Sequence, residues 1–594
     1  MAEVFTAIDR MNDLQVGENM NLEYKWNENG IPQLIVQLNF QLVRTNNTNN
    51  TKYQYNKLLK SILEDYSNSG NLEYIKTICK LIAYTRDIIS GKGEYDLSYM
   101  LISELYRHME NVNYPDNYKQ AIHSICSGIL LRFVKREDQM PYGSWKDLKY
   151  FLNYHVPLNE RIQLSTGFPR IQNAFVSTII GYIISQLKED NNNAQKTLLA
   201  KWIPREKSKK FGWITPLLAM EYYKEWMINL NSANQEKLAK RKCLTHFRQL
   251  ISKMNKELGT TQIYQCGNNW KDINFDKNVT SITLRKQSKA FAGNSKKNGS
   301  MNEDRKLCRD NYLKYIDNIR CGKSIAKGQR VSLVDFVRDG YRLLDFDKDN
   351  LIEREILNAQ WKDNCKQNLK LTDCLVMVDQ SGSMSDENCV PLYSAIGLGI
   401  RIAEKSKFGK RILSFSANPT WINLDDCEDF MSMLEKIKNA PSGTNTNFRN
   451  ALDKILTSAK NSNIHPDIMN KMVLIILSDM QIDEGDNNDN TTMFEMMKEK
   501  YYNAGLSTIY NQPYKLPHII FWNLRTTNGF PVIETTPNTS MMSGNNTCLL
   551  NSFCDKGIQS LKELTPWRSL NNSLSINRYN NLDNMVNEAF KKNK

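Results

Sequence analysis

Two apolar runs of strand length in the second half of the chain end in polar residues that could bind a metal ion. These polar residues are Asp379, Ser381 and Ser383 behind the first run, and Asp479 behind the second. Carboxylate and hydroxyl oxygens are the ligands that Mg²⁺ prefers, whereas the His and Cys ligands of softer metals are absent from both loops. We therefore predict an oxygen-rich site for a divalent cation, Mg²⁺ or Mn²⁺.

A third polar loop, residues 442–447, precedes a predicted helix and contains Thr444 and Thr446. A threonine hydroxyl could add a further oxygen ligand, or it could only cap the helix that follows. The polar residues of all these loops could instead satisfy nothing more than nearby backbone groups, which would leave a degenerate site. These alternatives stay open.

The apolar pattern from residue 371 to 560 predicts the scaffold that would hold these loops. Its predicted strands are 371–378, 411–416, 472–477 and 518–523, and its predicted helices are 394–405, 425–439, 448–460 and 491–504. Apolar strands that alternate with helices indicate a doubly wound parallel sheet with helices on both faces. Ligands of such sheets bind at the carboxyl ends of the strands, which is where the polar loops lie.

The region upstream has a helical pattern, in which apolar residues recur at three- and four-residue spacing from about 51 to 345. Short helices between Gly, Asn and Pro turns favour a HEAT-like α-solenoid, although no fixed repeat period is found. The predicted fold class is α + α/β, a helical solenoid followed by a doubly wound parallel sheet. The predicted divisions are an N-terminal extension 1–50, a helical domain 51–345, a connecting helix 346–370, the sheet domain 371–560 and a C-terminal tail 561–594.

The net charge of +14 is concentrated in one segment. Residues 201–330 hold 28 Lys and Arg against 11 Asp and Glu, a net of +17, whereas residues 371–530 hold 15 against 19, a net of −4. Aromatic residues such as Trp202, Phe211 and Trp226 are interleaved with the basic ones. This pattern suits phosphate contact and base stacking, although a solvated helical face would look the same. The candidate nucleic-acid-binding residues are Lys201, Arg205, Lys207, Lys209, Lys210, Arg241, Lys242, Arg285, Lys286, Lys289, Lys296 and Lys297.

Cysteine usage and the start of the chain predict a reducing, cytoplasmic location. The 12 cysteines are scattered, and no two of them form the C-x-x-C pair that is typical of zinc or redox sites. No secretory signal is visible, and the longest uncharged apolar run, near 175–187, is too short to span a bilayer. We expect no membrane partner and find no pattern for a small-molecule substrate.

The order D-x-S-x-S, threonine loop and strand-end aspartate resembles the metal-ion-dependent adhesion site of von Willebrand factor A (vWA) domains. The resemblance implies that Asp379, Ser381, Ser383 and Asp479 bind or position the cation. It also favours Thr446 as the threonine ligand, since Thr446 lies five residues before the Ala451-Leu452 pair of the helix, with Thr444 as the alternative.

A second resemblance covers the helical region. The sequence from Arg86 to Glu94 is similar to the R-D-x-x-x-G-K-G-E motif of TROVE-type helical domains, and further motifs of the same group match at 142–148, 199–205 and 359–362. The group pairs a TROVE-like region with a vWA-like domain and occurs in plants, protists and large DNA viruses. It is distantly related to the Ro autoantigens, which bind structured or misfolded noncoding RNA. In this motif, however, Arg86, Asp87 and Glu94 could simply form ion pairs at a helix junction.

These observations predict a noncatalytic RNA-binding ribonucleoprotein scaffold with a cation site, located in the cytoplasm, or in the host cytoplasm or virion if the protein is viral. The alternative is a metal-dependent protein-interaction module in which an acidic residue of a partner protein completes the cation site. A metal-dependent phosphoesterase is the weakest candidate, because no general base accompanies the predicted cation. The glycines around Lys92 lack the spacing and the preceding strand of a phosphate-binding P-loop.

Overall fold

The computed structural model describes residues 13–27, 30–111, 114–166, 173–293, 301–371, 373–415, 419–441, 448–481, 492–554 and 564–592. The chain divides into two compact units. The first unit combines Met1–Leu97 with Ala326–Asn581, and the second combines Ser98–Ile325 with Leu582–Lys594. An α-rich N-terminal region is followed by a sheet of mainly parallel strands, which confirms the coarse prediction of an α + α/β protein.

The described strands are β1 (Leu14–Val16), β2 (Leu22–Tyr24), β3 (Cys374–Asp379), β4 (Arg411–Phe415), β5 (Thr420–Asn423), β6 (Val473–Ser478), β7 (His518–Asn523) and β8 (Thr539–Ser543). In the first half of the chain the helices are α1 (Ile31–Gln41), α2 (Asn49–Ser69), α3 (Glu73–Arg86), α4 (Tyr95–Asn111), α5 (Asp116–Arg132), α6 (Lys146–His155), α7 (Leu158–Thr166), α8 (Ala174–Asn192), α9 (Leu199–Trp202), α10 (Ile214–Tyr222), α11 (Ala233–Leu258), α12 (Thr261–Cys266) and α13 (Ser281–Phe291). They are followed by α14 (Glu303–Arg320), α15 (Leu333–Phe346), α16 (Leu351–Cys365), α17 (Asp386–Lys405), α18 (Phe430–Lys438), α19 (Phe448–Asn461), α20 (Pro466–Met469), α21 (Met493–Leu506), α22 (Asn551–Cys554), α23 (Pro566–Leu574) and α24 (Asn577–Lys592).

The first unit is built around a six-stranded sheet with the strand order β5-β4-β3-β6-β7-β8. All neighbouring strands pair in parallel except β4 and β5, which are antiparallel. Every residue of the four strands β3, β6, β7 and β8 is buried. Burial on both faces is the arrangement expected of parallel strands that are covered by helices on each side.

The four predicted strands are all present, and the structure adds β5 and β8 to the sheet. β8 has the sequence Thr-Ser-Met-Met-Ser and lacks the run of β-branched apolar residues that marks a buried strand. β5 is a short strand at the sheet edge with only one buried residue. Their sequences therefore gave little periodic signal.

Helix α1 packs on β8, so a segment near the start of the chain forms part of the sheet unit. The helix begins with Pro32 in its first turn, where the missing N–H has no intrahelical partner to lose. Its residues from Gln33 to Gln41 are all buried, including several amides. The side chain of Gln41 bonds to the backbone of Thr527 and Gly529, which satisfies one of these buried amides.

The glycine-flanked Lys92 connects α1 to the carboxyl end of β8. Its buried ammonium group donates to the carbonyl oxygens of Asn39 (2.5 Å) and Leu42 (3.2 Å) and to Ser543 Oγ (2.6 Å). Burial lowers the pKa of Lys92 well below its ordinary value. Because the donors of this lysine already have protein acceptors at the end of a helix, Lys92 has a structural role in this unit.

Two acidic residues of the same motif form ion pairs within the first unit. Asp87 accepts two hydrogen bonds from the guanidinium of Arg578, at 2.5 and 2.7 Å, and a third from the hydroxyl of Tyr579 at 2.9 Å. Glu94 accepts two bonds from Arg44, both at 3.0 Å. The motif therefore contains the ion pairs of a helix junction, which was one of the two interpretations that its sequence allowed.

The second unit is helical in its described residues, from the C-terminal part of α4 to α14, with the end of α24. Its core contains a cluster of aromatic rings in which Tyr106 stacks on Phe175 with the ring centroids 4.6 Å apart. Helix α11 is different, because only Cys243, Phe247 and Met254 of its 26 residues are buried. Among the described residues of either unit, no helix is long and apolar enough to cross a membrane.

We expect the substitution Asp87→Ala to lower the free energy of unfolding by about 3–5 kcal/mol, because it leaves the guanidinium of Arg578 without its carboxylate in a largely buried position. Urea denaturation followed by circular dichroism would measure the loss. The exposed residue Asp349 offers a matched control, and Asp349→Ala should change stability by no more than about 0.5 kcal/mol. Equal effects of the two substitutions would contradict the structural role of the Asp87 ion pair.

Candidate cation site and basic surface

The two carboxylates of the candidate site, Asp379 and Asp479, lie at the ends of neighbouring strands at the carboxyl edge of the sheet. β3 ends at Asp379 and β6 ends at Ser478, and the two strands are neighbours in parallel register. Asp479 follows β6 directly, and the side chains of both aspartates are fully buried. The topology thus brings together two acidic residues that are 100 positions apart in the sequence.

The loop behind β3 surrounds Asp379 with hydrogen-bond donors and hydroxyl oxygens. The backbone N–H of Ser381 donates to Asp379 Oδ1 (2.9 Å), and the hydroxyl of Ser478 donates to Oδ2 (2.5 Å). The hydroxyl oxygens of Ser381 and Ser383 are 3.2 Å apart. Burial, and next the negative charge of Asp479, raise the pKa of Asp379 above its ordinary value, although the donors act in the opposite direction.

The donor set fits a small hard cation. Among the described residues, no group of three or more His, Cys, Asp or Glu side chains could hold a metal ion, so a metal at this edge would depend on hydroxyl oxygens. Ser381 and Ser383 provide two such oxygens beside a buried carboxylate whose ionised form is unfavourable without a nearby positive charge. The predicted residues Thr444 and Thr446 lie in 442–447, outside the described residues.

Left-handed backbone occurs beside both strand-end loops. Met480, next to Asp479, has φ 63°. The short 3₁₀ turn that contains Ser383 leads to Glu387, Asn388 and Cys389, with φ values of 51°, 61° and 60°. Such conformations are costly for residues other than glycine and are commonly held in place at functional sites.

The other side of Asp479 is occupied by residues that sequence reasoning missed. Asp479 Oδ1 accepts the backbone N–H of Gln481 (3.1 Å), and Oδ2 accepts the Nε–H of Arg525 (2.8 Å). Burial lowers the pKa of Arg525, but the charges of Asp479 and Glu18 outweigh that effect and raise it above its ordinary value. Arg525 follows the end of β7 by two residues, so its position behind a predicted strand was the one available signal.

The β1–β2 hairpin is attached next to this aspartate. The side-chain oxygen of Gln481 accepts the backbone N–H of Glu18 (2.7 Å), and its backbone oxygen accepts the side-chain amide of Asn19 (3.0 Å). The amide of Gln481 also donates to the carboxylate of Glu23 (3.2 Å), whose pKa is raised by burial. The hairpin therefore forms part of the surroundings of the candidate site.

The predicted nucleic-acid-binding residues lie in the second unit, on three stretches. Lys201, Arg205, Lys207, Lys209 and Lys210 lie on and after α9, Arg241 and Lys242 lie on α11, and Arg285, Lys286 and Lys289 lie on α13. All of these are exposed except Lys201 and Arg285, which are half-buried. Lys296 and Lys297 lie in 294–300, outside the described residues. Helix α11 carries seven Lys and Arg against two Asp and Glu, and most of its surface is open to solvent.

Aromatic rings lie against several of these cations. The rings of Tyr223 and Trp226 stack with centroids 4.4 Å apart, and the ammonium of Lys242 lies 4.2 Å from the Trp226 centroid. Lys210 similarly lies 5.4 Å from the Phe211 ring. Both aromatic groups are partly accessible. The predicted interleaving of rings and cations is therefore present in three dimensions on this unit.

Lys149, which the sequence did not single out, belongs to the same cation–ring cluster as Lys210 and Phe211. Its ammonium lies 5.0 Å from the Trp202 ring and 5.2 Å from the Phe211 ring. Burial lowers the pKa of Lys149 to about 8. This lysine is separated from the basic segment in sequence, and only the packing of α6 against α9 brings it there.

Comparison with known proteins shows similarity over the sheet region and over most of the chain. Residues 373–589 match a domain of unknown function, DUF7788. An uncharacterized protein of Acanthamoeba polyphaga mimivirus is 27% identical over 513 residues, which cover 83% of this chain and 78% of that protein. The chain is thus similar to DUF7788 proteins over its sheet region and to a mimivirus protein over most of its length.

Proposed function

We propose that the protein is a noncatalytic RNA-binding scaffold, in which a TROVE-like helical solenoid contacts RNA and a vWA-like domain holds Mg²⁺ or Mn²⁺. The observation that carries the RNA-binding proposal is the exposed basic helix α11 with the stacked pair Tyr223–Trp226 beside Lys242. We expect the RNA to be structured or misfolded noncoding RNA, as the resemblance to Ro-type proteins suggests.

The physical argument starts from the low burial of α11. A helix that contributes only three side chains to the core gains little from packing, so its seven basic residues act mainly on the solvent side. Positive charge concentrated on one exposed helix attracts a polyanion and releases the polyanion's counterions. Stacked rings next to the charge offer a platform for an unpaired base. Structured RNAs present both phosphates and unpaired bases.

The second part of the proposal is that the vWA-like domain binds a divalent cation at the carboxyl edge of its sheet. Ser381 and Ser383 would hold the cation directly, and the buried carboxylates Asp379 and Asp479 would neutralise its charge. A cation with so few protein ligands keeps water positions that an acidic or phosphate oxygen can take. The bound cation would supply a positive charge for an anionic ligand at the sheet edge.

The first test is a salt series. The double substitution Arg241→Gln and Lys242→Gln should weaken binding of a structured RNA at low salt. It should also reduce the steepness of log K against log salt by about 1–2, because each phosphate contact that is lost leaves its counterions on the RNA. Filter binding at several salt concentrations measures both quantities. The exposed pair Lys60→Gln and Lys370→Gln is the control and should leave the slope unchanged. Native protein that binds no RNA at low salt, or binds with no salt dependence, would contradict the proposal.

The second test separates stacking from charge. Trp226→Ala should weaken RNA binding by about 1–3 kcal/mol, roughly fivefold to 150-fold, without changing the salt slope, because a ring contributes stacking and no charge. Trp421 is exposed by 46% in the other unit, and Trp421→Ala should leave the affinity unchanged. The same filter-binding assay applies. A loss of affinity in both variants, or in neither, would exclude Trp226 as a base-stacking residue.

A second candidate function is metal-dependent binding of an acidic protein partner, and the oxygen cluster of Asp379, Ser381 and Ser383 favours it. In this case a carboxylate of the partner would complete the cation site. RNA binding would then be absent, and the basic residues of α11 would have little effect on the interaction. This candidate would be favoured if Asp379→Ala abolished binding of a purified acidic partner protein while Arg241→Gln and Lys242→Gln left that binding unchanged.

Thermal unfolding of the protein with and without Mg²⁺ tests whether the site binds a cation. Mg²⁺ at about 100 times its dissociation constant should stabilise the native protein by about 2.7 kcal/mol, because it binds the folded state only. Differential scanning calorimetry with and without Mg²⁺ measures this shift. The double substitution Ser381→Ala and Ser383→Ala should remove the shift, whereas Ser61→Ala, at a half-buried serine of α2, should keep it. An equal shift in all three proteins would place the bound Mg²⁺ elsewhere.

A further inference from the structure

We propose that Arg525 is a built-in counter-cation of the candidate site, which competes with a divalent cation for Asp479 and links the site to the β1–β2 hairpin. The inference rests on the cation binding proposed above and names a residue that sets its strength. It arises from one guanidinium group that contacts carboxylates from three different parts of the first unit.

The contacts of Arg525 define this role. Its Nε donates to Asp479 Oδ2 (2.8 Å), and one terminal nitrogen donates to the carboxylate of Glu18 (2.6 Å). The other terminal nitrogen lies 3.9 Å from the carboxylate of Asp386, the first residue of α17 behind the D-x-S-x-S loop. The side chain is only 13% exposed, so water screens these interactions poorly.

The fold holds Arg525 in this position. Its backbone N–H donates to the side-chain oxygen of Asn523 (3.2 Å), the last residue of β7. The side-chain amide of the fully buried Asn523 in turn donates to the carbonyl oxygen of Phe40 on α1 (3.0 Å). The guanidinium is therefore aimed at the strand-end carboxylate from a rigid strand terminus.

Both oxygens of Asp479 already accept hydrogen bonds. Oδ1 is bound by the backbone N–H of Gln481, and Oδ2 is bound by Arg525. A divalent cation close to Asp479 would repel the guanidinium and compete with it for the same carboxylate. Arg525 thus lowers the cation affinity that two buried carboxylates would otherwise produce.

Competition between a cation and Arg525 for Asp479 also affects the hairpin, because Arg525 is bound to Glu18 in the hairpin turn. The turn between β1 and β2 is attached by the Glu18–Arg525 ion pair and by the bonds of Glu18 and Asn19 to Gln481, two residues beyond Asp479. A shift of the guanidinium away from a bound cation would disturb these contacts. Coupling of this kind is reciprocal, so cation binding and attachment of the turn each weaken the other.

Calorimetric titration of Mn²⁺ or Mg²⁺ into the full chain tests the competition. Arg525→Gln should bind the metal roughly tenfold more tightly than the native protein, because it removes the competing charge. Arg525→Lys keeps the charge and should stay within about twofold of the native affinity. The matched control is Arg411→Gln, which breaks an ion pair with Asp425 at the beginning of β4. This variant should bind the metal with the native affinity. A purely structural role of Arg525 would instead make both of its variants bind more weakly.

The outcomes separate this inference from the proposed function. Metal binding that is lost in Ser381→Ala and Ser383→Ala but unchanged or weaker in Arg525→Gln would overturn the role of Arg525 and leave the cation site intact. Absence of metal binding in the native protein and in Arg525→Gln alike would overturn both. Tighter binding in Arg525→Gln alone supports both.

Hydrogen exchange tests the link to the hairpin without any substitution. Saturating Mg²⁺ should accelerate amide exchange in the turn, including the N–H groups of Gly17 and Met20, which donate to backbone oxygens within the turn. The αL-capped end of α2 at Gly70 lies outside this network and should exchange at the same rate with and without metal. Unchanged exchange in the turn at saturating metal would overturn the coupling.

Discussion

The parallel register of β3 and β6 places Asp379 and Asp479 together in buried surroundings. The neighbouring loops supply hydrogen-bond donors to both carboxylates. Two adjacent carboxylates lose hydration and repel each other, so each requires compensation. Asp379 receives it from the N–H of Ser381 and the hydroxyl of Ser478, and Asp479 from a backbone N–H and the guanidinium of Arg525. The left-handed residues beside the site are consistent with loops that satisfy these carboxylates at some cost in backbone energy.

Local sequence was sufficient for the parts of the fold that repeat a simple period. The buried strand 518–523 was predicted to the residue, and the D-x-S-x-S loop lies where the predicted strand ends. β8 and the hairpin strands could not be predicted, because the sequence of β8 lacks an apolar run and β1 and β2 have only three residues each. Arg525 and Glu18 illustrate the same limit, since each looks like an ordinary surface charge until the sheet and hairpin bring the two together across 507 positions. Thr446 and Thr444 stay a prediction.

The uneven charge of the chain corresponds to different structural roles in the two units. In the first unit, charged residues such as Asp87, Lys92 and Glu94 are buried and paired or hydrogen-bonded, so they contribute to the junctions between helices and sheet. In the second unit, the basic residues of α11 remain largely on the surface. The first kind of charge stabilises a fold, and the second kind produces a positive electrostatic field in the surrounding solvent.

The attachment of α1 to β8 has a consequence for synthesis of the protein. The helix, whose residues from Gln33 to Gln41 are buried in the folded unit, leaves the ribosome about 500 residues before its partner strand. At the usual rates of translation this interval is about half a minute or longer. Throughout that time the helix lacks its contacts with β8, although its neighbours α2 and α3 are already synthesised. Part of the buried surface of α1 therefore stays without its native cover until the last strand of the sheet is made.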